Sequence, residues 1–257
     1  MAAELSARDS VLYFYGITES RPANSIQQPG VDLQSQVEAI DCEGLNCWIS
    51  RVSSGEFEKD LAANMENLDW LATASVAHQR AISAIAREVE ILPARFGTVF
   101  RSEESLCKHI HVRKREITRD LKRIKGADEW GIKVFATKPP AAAPMAQVRS
   151  GKDYLKAKAA LLPAKRSRSD MNGEFTEFEN ALRRVALESA AVGNVSSGQR
   201  GLCFQTSLLV KRKDRKKLES VLKEFSERWI EACQIECTGP WPPYSFVSRP
   251  DQRVERE

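Results

Sequence analysis

The chain has 257 residues, 42% of them hydrophobic and 29% charged, which excludes disorder as the dominant state and leaves room for one large domain or two small ones. No run approaches the roughly 18 consecutive apolar residues of a membrane-spanning helix, and Met1-Ala2-Ala3-Glu4 lacks the basic and apolar regions of a secretory leader, so a cytoplasmic protein without a lipid membrane partner is expected. The 39 basic and 35 acidic residues nearly cancel to a formal +4, which gives no general reason to expect a nucleic-acid partner.

Val11 to Ile17 packs aromatic and β-branched residues into a run of strand length, ending in a turn-rich stretch from Thr18 to Gly30; it predicts a buried central strand. Two further short strands, Gln36 to Ile40 and Leu45 to Val52, flank Asp41-Cys42-Glu43-Gly44, whose residues suit a hairpin loop. From Glu56 to Glu90 the spacing turns helical, with Leu61, Met65 and Leu68 and later Ile82, Ile85 and Val89 recurring on one face. Two consecutive helices or one bent helix fit this pattern. Ile91 to Phe100 is apolar but broken by Pro93 and Gly97, which predicts an edge or irregular strand. Ser102 then caps a helix running to about Lys125.

In the second half, Trp130 to Ala136 reads as a strand and Pro139 to Pro144 as a loop. A helix from Asp153 to Leu162, a polar gap from Lys165 to Gly173 and a helix carrying Phe175, Phe178, Leu182 and Val185 on one face follow. Strands near Ala190 to Val195 and at Cys203 to Val210, a helix striped by Leu218, Val221, Leu222, Phe225 and Trp229, and a strand at Gln234 to Cys237 complete the series. That order is the order of a ferredoxin-like split βαβ unit.

The common motifs for nucleotide, zinc-protease and hydrolase chemistry are missing, so no catalytic residue and no cofactor is expected. Cys107, His109 and His111 form the one metal-like cluster. Cys107 and His111 would share a helix face but His109 would point elsewhere, so a partly exposed helix face is the preferred reading over a metal-binding enzyme or sensor. The cysteines, Cys42, Cys47, Cys107, Cys203, Cys233 and Cys237, are too sparse for a disulfide scaffold and are expected to be reduced, mostly buried thiols. The basic helix 113–125 could contact nucleic acid, but Glu116 and Asp120 interrupt its charge and no aromatics interleave, which favours a solvated face.

Thr238 to Val247 is more informative. Pro240, Pro242 and Pro243 stiffen the segment and hold Trp241, Tyr244 and Phe246 on an extended frame that loses little entropy on docking. Those rings can fold back on the protein's own core, serve a partner, or divide between the two. Arg95, set between Ala94 and Phe96 in an apolar run, must reach solvent or a carboxylate. An ion pair joining two domains, with Glu88, Glu103 or Glu129, is preferred over contact with a partner.

Leu12-Tyr13-Phe14-Tyr15-Gly16-Ile17, Leu92 to Phe100 with its Arg95-Phe96-Gly97, Glu129-Trp130-Gly131-Ile132-Lys133-Val134, Ser150 to Leu155 and the closing Thr238 to Val247 together resemble the gas vesicle protein GvpF/GvpL family in order and spacing. The resemblance implies an α+β protein of two domains. Residues 8–126 would form a mixed N-terminal α+β domain, residues 127–238 a modified ferredoxin-like domain with a helical insertion, and residues 239–257 a proline- and aromatic-rich tail. It also implies an assembly accessory or minor structural protein of the gas vesicle, without catalysis, that associates with the shell protein GvpA and other accessory proteins. The partner-binding candidates are then Trp241, Tyr244, Phe246, Arg95, Phe96 and Trp130.

Overall fold

The computed structural model describes residues 9–23, 25–137, 168–191 and 201–248. The chain divides into two compact units, Met1–Glu129 with Pro240–Glu257, and Trp130–Gly239. Pro240 to Ser248 is therefore grouped with the first unit.

In the first unit the strands are β1 (Ser10–Thr18), β2 (Glu38–Cys42), β3 (Leu45–Ser53), β4 (Ile91–Pro93) and β5 (Val99–Phe100). They pair in the order β2-β3-β1-β4, with β5 also on β1. β1 is buried from Val11 to Thr18, as its continuous apolar run requires of a strand covered on both faces. Its register against β3 slips between Phe14 and Gly16, which makes Tyr15 the extra residue of a bulge. Gly16 cannot be replaced there, because a Cβ would lie 2.5 Å from the Leu92 carbonyl oxygen. β2 and β3 are joined by Glu43 and Gly44, both with positive φ, so the connection is a two-residue turn of the mirror-image kind that matches strand twist. The broken run from Ile91 to Phe100 becomes two short strands on β1, separated by a turn at residues 94–98.

The helical stretch is divided. A wide turn at Gly55–Lys59 and α1 (Leu61–Glu66) precede α2 (Leu68–Glu88). The break falls at Asn67, whose extended backbone lets its side-chain oxygen accept the Asp69 and Trp70 amides, satisfying donors that a helix start leaves open. α2 turns Ala74, Ala77, His78, Ala81, Ile82 and Ile85 inward; the small side chains let the helix approach the sheet closely. α3 (Glu103–Ile124) starts at the predicted Ser102, which exchanges hydrogen bonds with Ser105 in a capping box.

Cys42, at the end of β2, is disulfide-bonded to Cys107 on α3, with their Cα atoms 5.0 Å apart. This corrects the expectation of six reduced thiols: burial of Leu106 and Ile110 brings α3 against the hairpin, and a separation of 65 residues carries no local signal of the pairing.

The second unit contains β6 (Ala127–Ala136, entering from the first unit), α4 (Arg168–Val185), β7 (Glu188–Ala190), β8 (Leu202–Lys211), α5 (Arg215–Arg228) and β9 (Cys233–Trp241). The sheet order is β7-β8-β6-β9, so the described elements follow the βαββαβ order with the first strand central, as in ferredoxin-like units. Phe178, Phe225 and Trp229 form its centre, with ring centroids 4.9 to 5.2 Å apart. α4 already includes Arg168 to Gly173, the end of the polar gap. The expected loop at Pro139 to Pro144, the helix from Asp153 to Leu162 and the strand portion toward Val195 lie outside the described residues. β9 runs through Pro240 because it is the sheet edge, where a missing N–H costs no ladder bond. Cys203 and Cys237 are exposed, contrary to the core packing expected of them, while Cys47 and Cys233 are buried.

Back in the first unit, the C-terminal segment is held by two buried carboxylates. Glu129 accepts the backbone N–H of Ser245 at 2.8 Å and its hydroxyl at 2.5 Å. Asp120 accepts the Ser248 N–H and hydroxyl at 2.9 and 3.0 Å and is paired with Arg123 at 2.9 Å. Arg123 also donates to the Phe246 carbonyl and Arg113 to the Ser248 carbonyl. With Asp120 2% and Glu129 7% exposed, these bonds replace the water both carboxylates lose.

Two predictions follow from these long-range ties. Asp120→Ala should cost about 3 kcal/mol, because it leaves two Ser248 donors without their acceptor and removes the buried ion pair with Arg123; urea denaturation measures the loss, and limited proteolysis should cut near Ser248 first. Reducing the disulfide, or Cys107→Ser, should remove up to about 4 kcal/mol by the chain-entropy relation for a loop of this length, read as a lower melting temperature in dithiothreitol that the variant shows without it.

Candidate binding surface of the first unit

Three segments distant in sequence meet around His78. Tyr13 and Tyr15 come from β1, Phe96 from the turn between β4 and β5, and Tyr244 from the C-terminal segment. The His78 ring centroid is 5.7 Å from Tyr13, 6.0 Å from Tyr15, 5.6 Å from Phe96 and 6.4 Å from Tyr244. Phe57 and Trp70 extend the group, Trp70 lying 6.2 Å from Phe96. The polar atoms are matched as the rings pack. The Tyr13 hydroxyl accepts the Gly97 N–H at 3.0 Å and lies 2.9 Å from His78 Nδ1. The Tyr15 hydroxyl accepts the Val31 N–H and meets Ser50 Oγ, and Tyr244 donates to Gln79.

Donating its hydrogen to His78 Nδ1 is the arrangement that uses the Tyr13 hydroxyl fully, which leaves the imidazole proton on Nε2. That atom is buried and has no partner among the described residues. Burial pulls the His78 pKa down from 6.5 to about 4, so the ring is neutral near pH 7. The same burial raises Tyr13 and Tyr244 above the usual phenol range and pushes Tyr15 up to about 12.

The sequence-selected residues separate by exposure. Phe246 is 4% exposed and Tyr244 packs against the core, so these rings support the protein's own fold, while Trp241 is 43% exposed. Trp130 is buried in the second unit's core, with the Arg215 guanidinium 5.4 Å above its ring. Phe96 is half-buried in the cluster just described. Arg95 is exposed and, among the described residues, makes no ion pair. The expected interdomain pair is thus corrected: Glu103 pairs with Arg51, Glu129 accepts from Ser245, and the turn sends Arg95 into water.

Cys107, His109 and His111 are not brought together as ligands. Cys107 is in the disulfide, His109 lies against Phe100 and Arg113, and His111 contacts Glu43 at 3.0 Å. Among the described residues no group of three His, Cys, Asp or Glu side chains is placed to hold a metal, and no helix is long and apolar enough to cross a membrane.

Met65 and Leu68, two of the three residues expected on one helical face, lie on separate helices and are exposed, and Val76 joins them outside. Met65, Leu68 and Val76 are 44%, 78% and 49% exposed. Leu68, Ala72 and Val76 recur every fourth residue, so they form one file on the outer face of α2. The signal was present as a second apolar face on a helix whose first face fills the core.

These features define a two-unit α+β protein whose first unit is closed by the chain's own C-terminal segment and carries an apolar outer helix face. The model of the family described as Gas vesicle synthesis protein GvpL/GvpF matches residues 11–248, and the chain belongs to that family of gas vesicle proteins. Gas vesicle protein L of a Streptomyces species is 34% identical over 222 residues, 79% of this chain and 80% of the relative. Gas vesicle protein F2 of Halobacterium salinarum is 23% identical over 93% of each chain. Crystal structures of GvpF from Anabaena sp. and Microcystis aeruginosa share the fold, with TM-scores of 0.64 and 0.67 at 16% identity, over 94% and 93% of this chain and 98% and 99% of theirs.

Because the folded-state pKa of His78 is depressed, the unfolded chain binds the extra proton first, and stability rises with pH between about 4 and 6.5. The contribution is full above pH 6.5 and is lost toward pH 4, by at most about 3 kcal/mol at 1.36 kcal/mol per unit. Urea titrations of wild type and His78→Gln across this window should show a shallower pH slope in the variant.

Proposed function

We propose that this protein acts in gas vesicle formation as an assembly accessory or minor structural protein that binds the hydrophobic shell protein GvpA and other gas vesicle proteins in the cytoplasm. The observation that carries the reading is the file of Leu68, Ala72 and Val76, with Met65 nearby in sequence, exposed on the first unit. Apolar side chains grouped on an outer face gain free energy when an apolar partner covers them, at about 25 cal/mol per Å². A shell subunit carries apolar surface before it assembles, and covering that surface prevents aggregation.

Trp241 and Arg95 are further candidates for partner contact, since both are exposed and such side chains commonly anchor interfaces. Tyr244, Phe246, Phe96 and Trp130 serve the reading indirectly, by fixing the fold that presents the exposed positions.

Co-expression of the tagged protein with the shell protein, followed by size exclusion and mass spectrometry of the soluble fraction, tests this. The wild-type chain should keep shell protein in a discrete complex. Leu68→Glu with Val76→Glu should abolish the complex, and Trp241→Ala should weaken it, with melting temperatures unchanged. Aggregation of the shell protein with none co-eluting with the wild type would remove the reading.

A further inference from the structure

α3 carries a second surface with different chemistry. The acids that interrupt its basic run in the sequence do not interrupt it in space. Glu116 pairs with Arg113 at 3.1 Å, and Asp120 is buried, pairing with Arg123 and holding Ser248. What remains on the outer face is Lys108, His111, Val112, Arg115, Arg119 and Lys122, all exposed. Lys108, Arg115, Arg119 and Lys122 form no ion pair among the described residues, whereas His111 shares Glu43 with Lys114. From Lys108 to Lys122 the file presents a basic residue about once per turn over about 21 Å, at 1.5 Å per residue.

From this face we infer that α3 is a docking site for an acidic amphipathic helix of a protein partner. Three features favour that occupant. A helix with a carboxylate once per turn has the same 5.4 Å repeat as the basic file, so charges match along its whole length. Val112, 76% exposed within the file, gains only from an apolar side chain and would lie against phosphates on a nucleic acid. Beside it, an open groove of about 570 Å³ lined by Glu43, His111, Lys114, Arg115 and Thr118 gives room for a partner's side chains. The second unit's basic residues near α5 are unlike this file, since Arg215 and Lys217 are engaged by Glu219 and Asp214.

The disulfide holds α3 to the β2–β3 hairpin at Cys107, one residue before this surface starts. The face is on another helix from the apolar file of α2, so the inference stands or falls apart from the shell-protein reading.

The test uses the full chain and three labelled probes: a helical Ala/Leu peptide with one glutamate per turn, a scrambled peptide of the same composition, and a short duplex DNA, each followed by fluorescence anisotropy at low and physiological salt. The once-per-turn peptide should bind and the scrambled one should not. Arg115→Glu with Arg119→Glu should weaken binding by about tenfold, as expected for two surface ion pairs turned repulsive, while Leu68→Glu should leave it unchanged. Arg115→Gln with Arg119→Gln provides the same comparison should charge reversal disturb the circular dichroism spectrum. Equal binding of both peptides, or no effect of the arginine variants, would overturn the inference; tighter binding of the duplex would assign the face to nucleic acid instead.

Discussion

The first unit depends on two carboxylates placed out of water, Asp120 on α3 and Glu129 at the start of β6. A buried carboxylate is tolerated only when donors replace its hydration, and here the donors are supplied by Ser245 and Ser248, more than 100 residues later in the chain. The demand fixes where the C-terminal segment must return. Once Ser245 and Ser248 are engaged, Phe246 between them is held in the core and Tyr244 is brought to Gln79 and His78. Pro242 and Pro243, both buried, reduce the entropy lost in ordering the segment.

The aromatic cluster depends on that closure. Tyr13 and Tyr15 leave β1 on the same side because side chains alternate along a strand, and the bulge at Tyr15 and the close approach at Gly16 admit β4 beside them. The turn after β4 then delivers Phe96 to the same place and Arg95 to solvent. Motifs that look independent along the chain are thus parts of one packed arrangement, and most of their aromatic residues explain the fold before they explain binding.

Surface chemistry is divided between two helices. α2 buries one apolar file and exposes another, whereas α3 buries its apolar side and pairs Glu116 and Asp120 with its own Arg113 and Arg123, leaving other cations outside. The disulfide adds a covalent tie between α3 and the sheet that the hydrophobic contacts of Leu106 and Ile110 already favour.

Features that depend on neighbours a few residues away are readable along the chain. β1, the β2–β3 hairpin, the Ser102 cap and the stripes of α4 and α5 were legible because alternation, helical spacing and capping are local, and the resemblance to the family was legible in its motifs. Tertiary structure alone decided the Cys42–Cys107 pairing, the return of Ser245 and Ser248 to buried acids, and the exposure of Arg95. It also decided that Glu116 and Asp120 turn away from the basic face of α3 while Leu68 and Val76 remain outside on α2. Apart from Glu116, whose partner Arg113 is three residues away on the same helix, each of these depends on which distant segment lies across from a side chain, and no periodicity within one helix or strand encodes that.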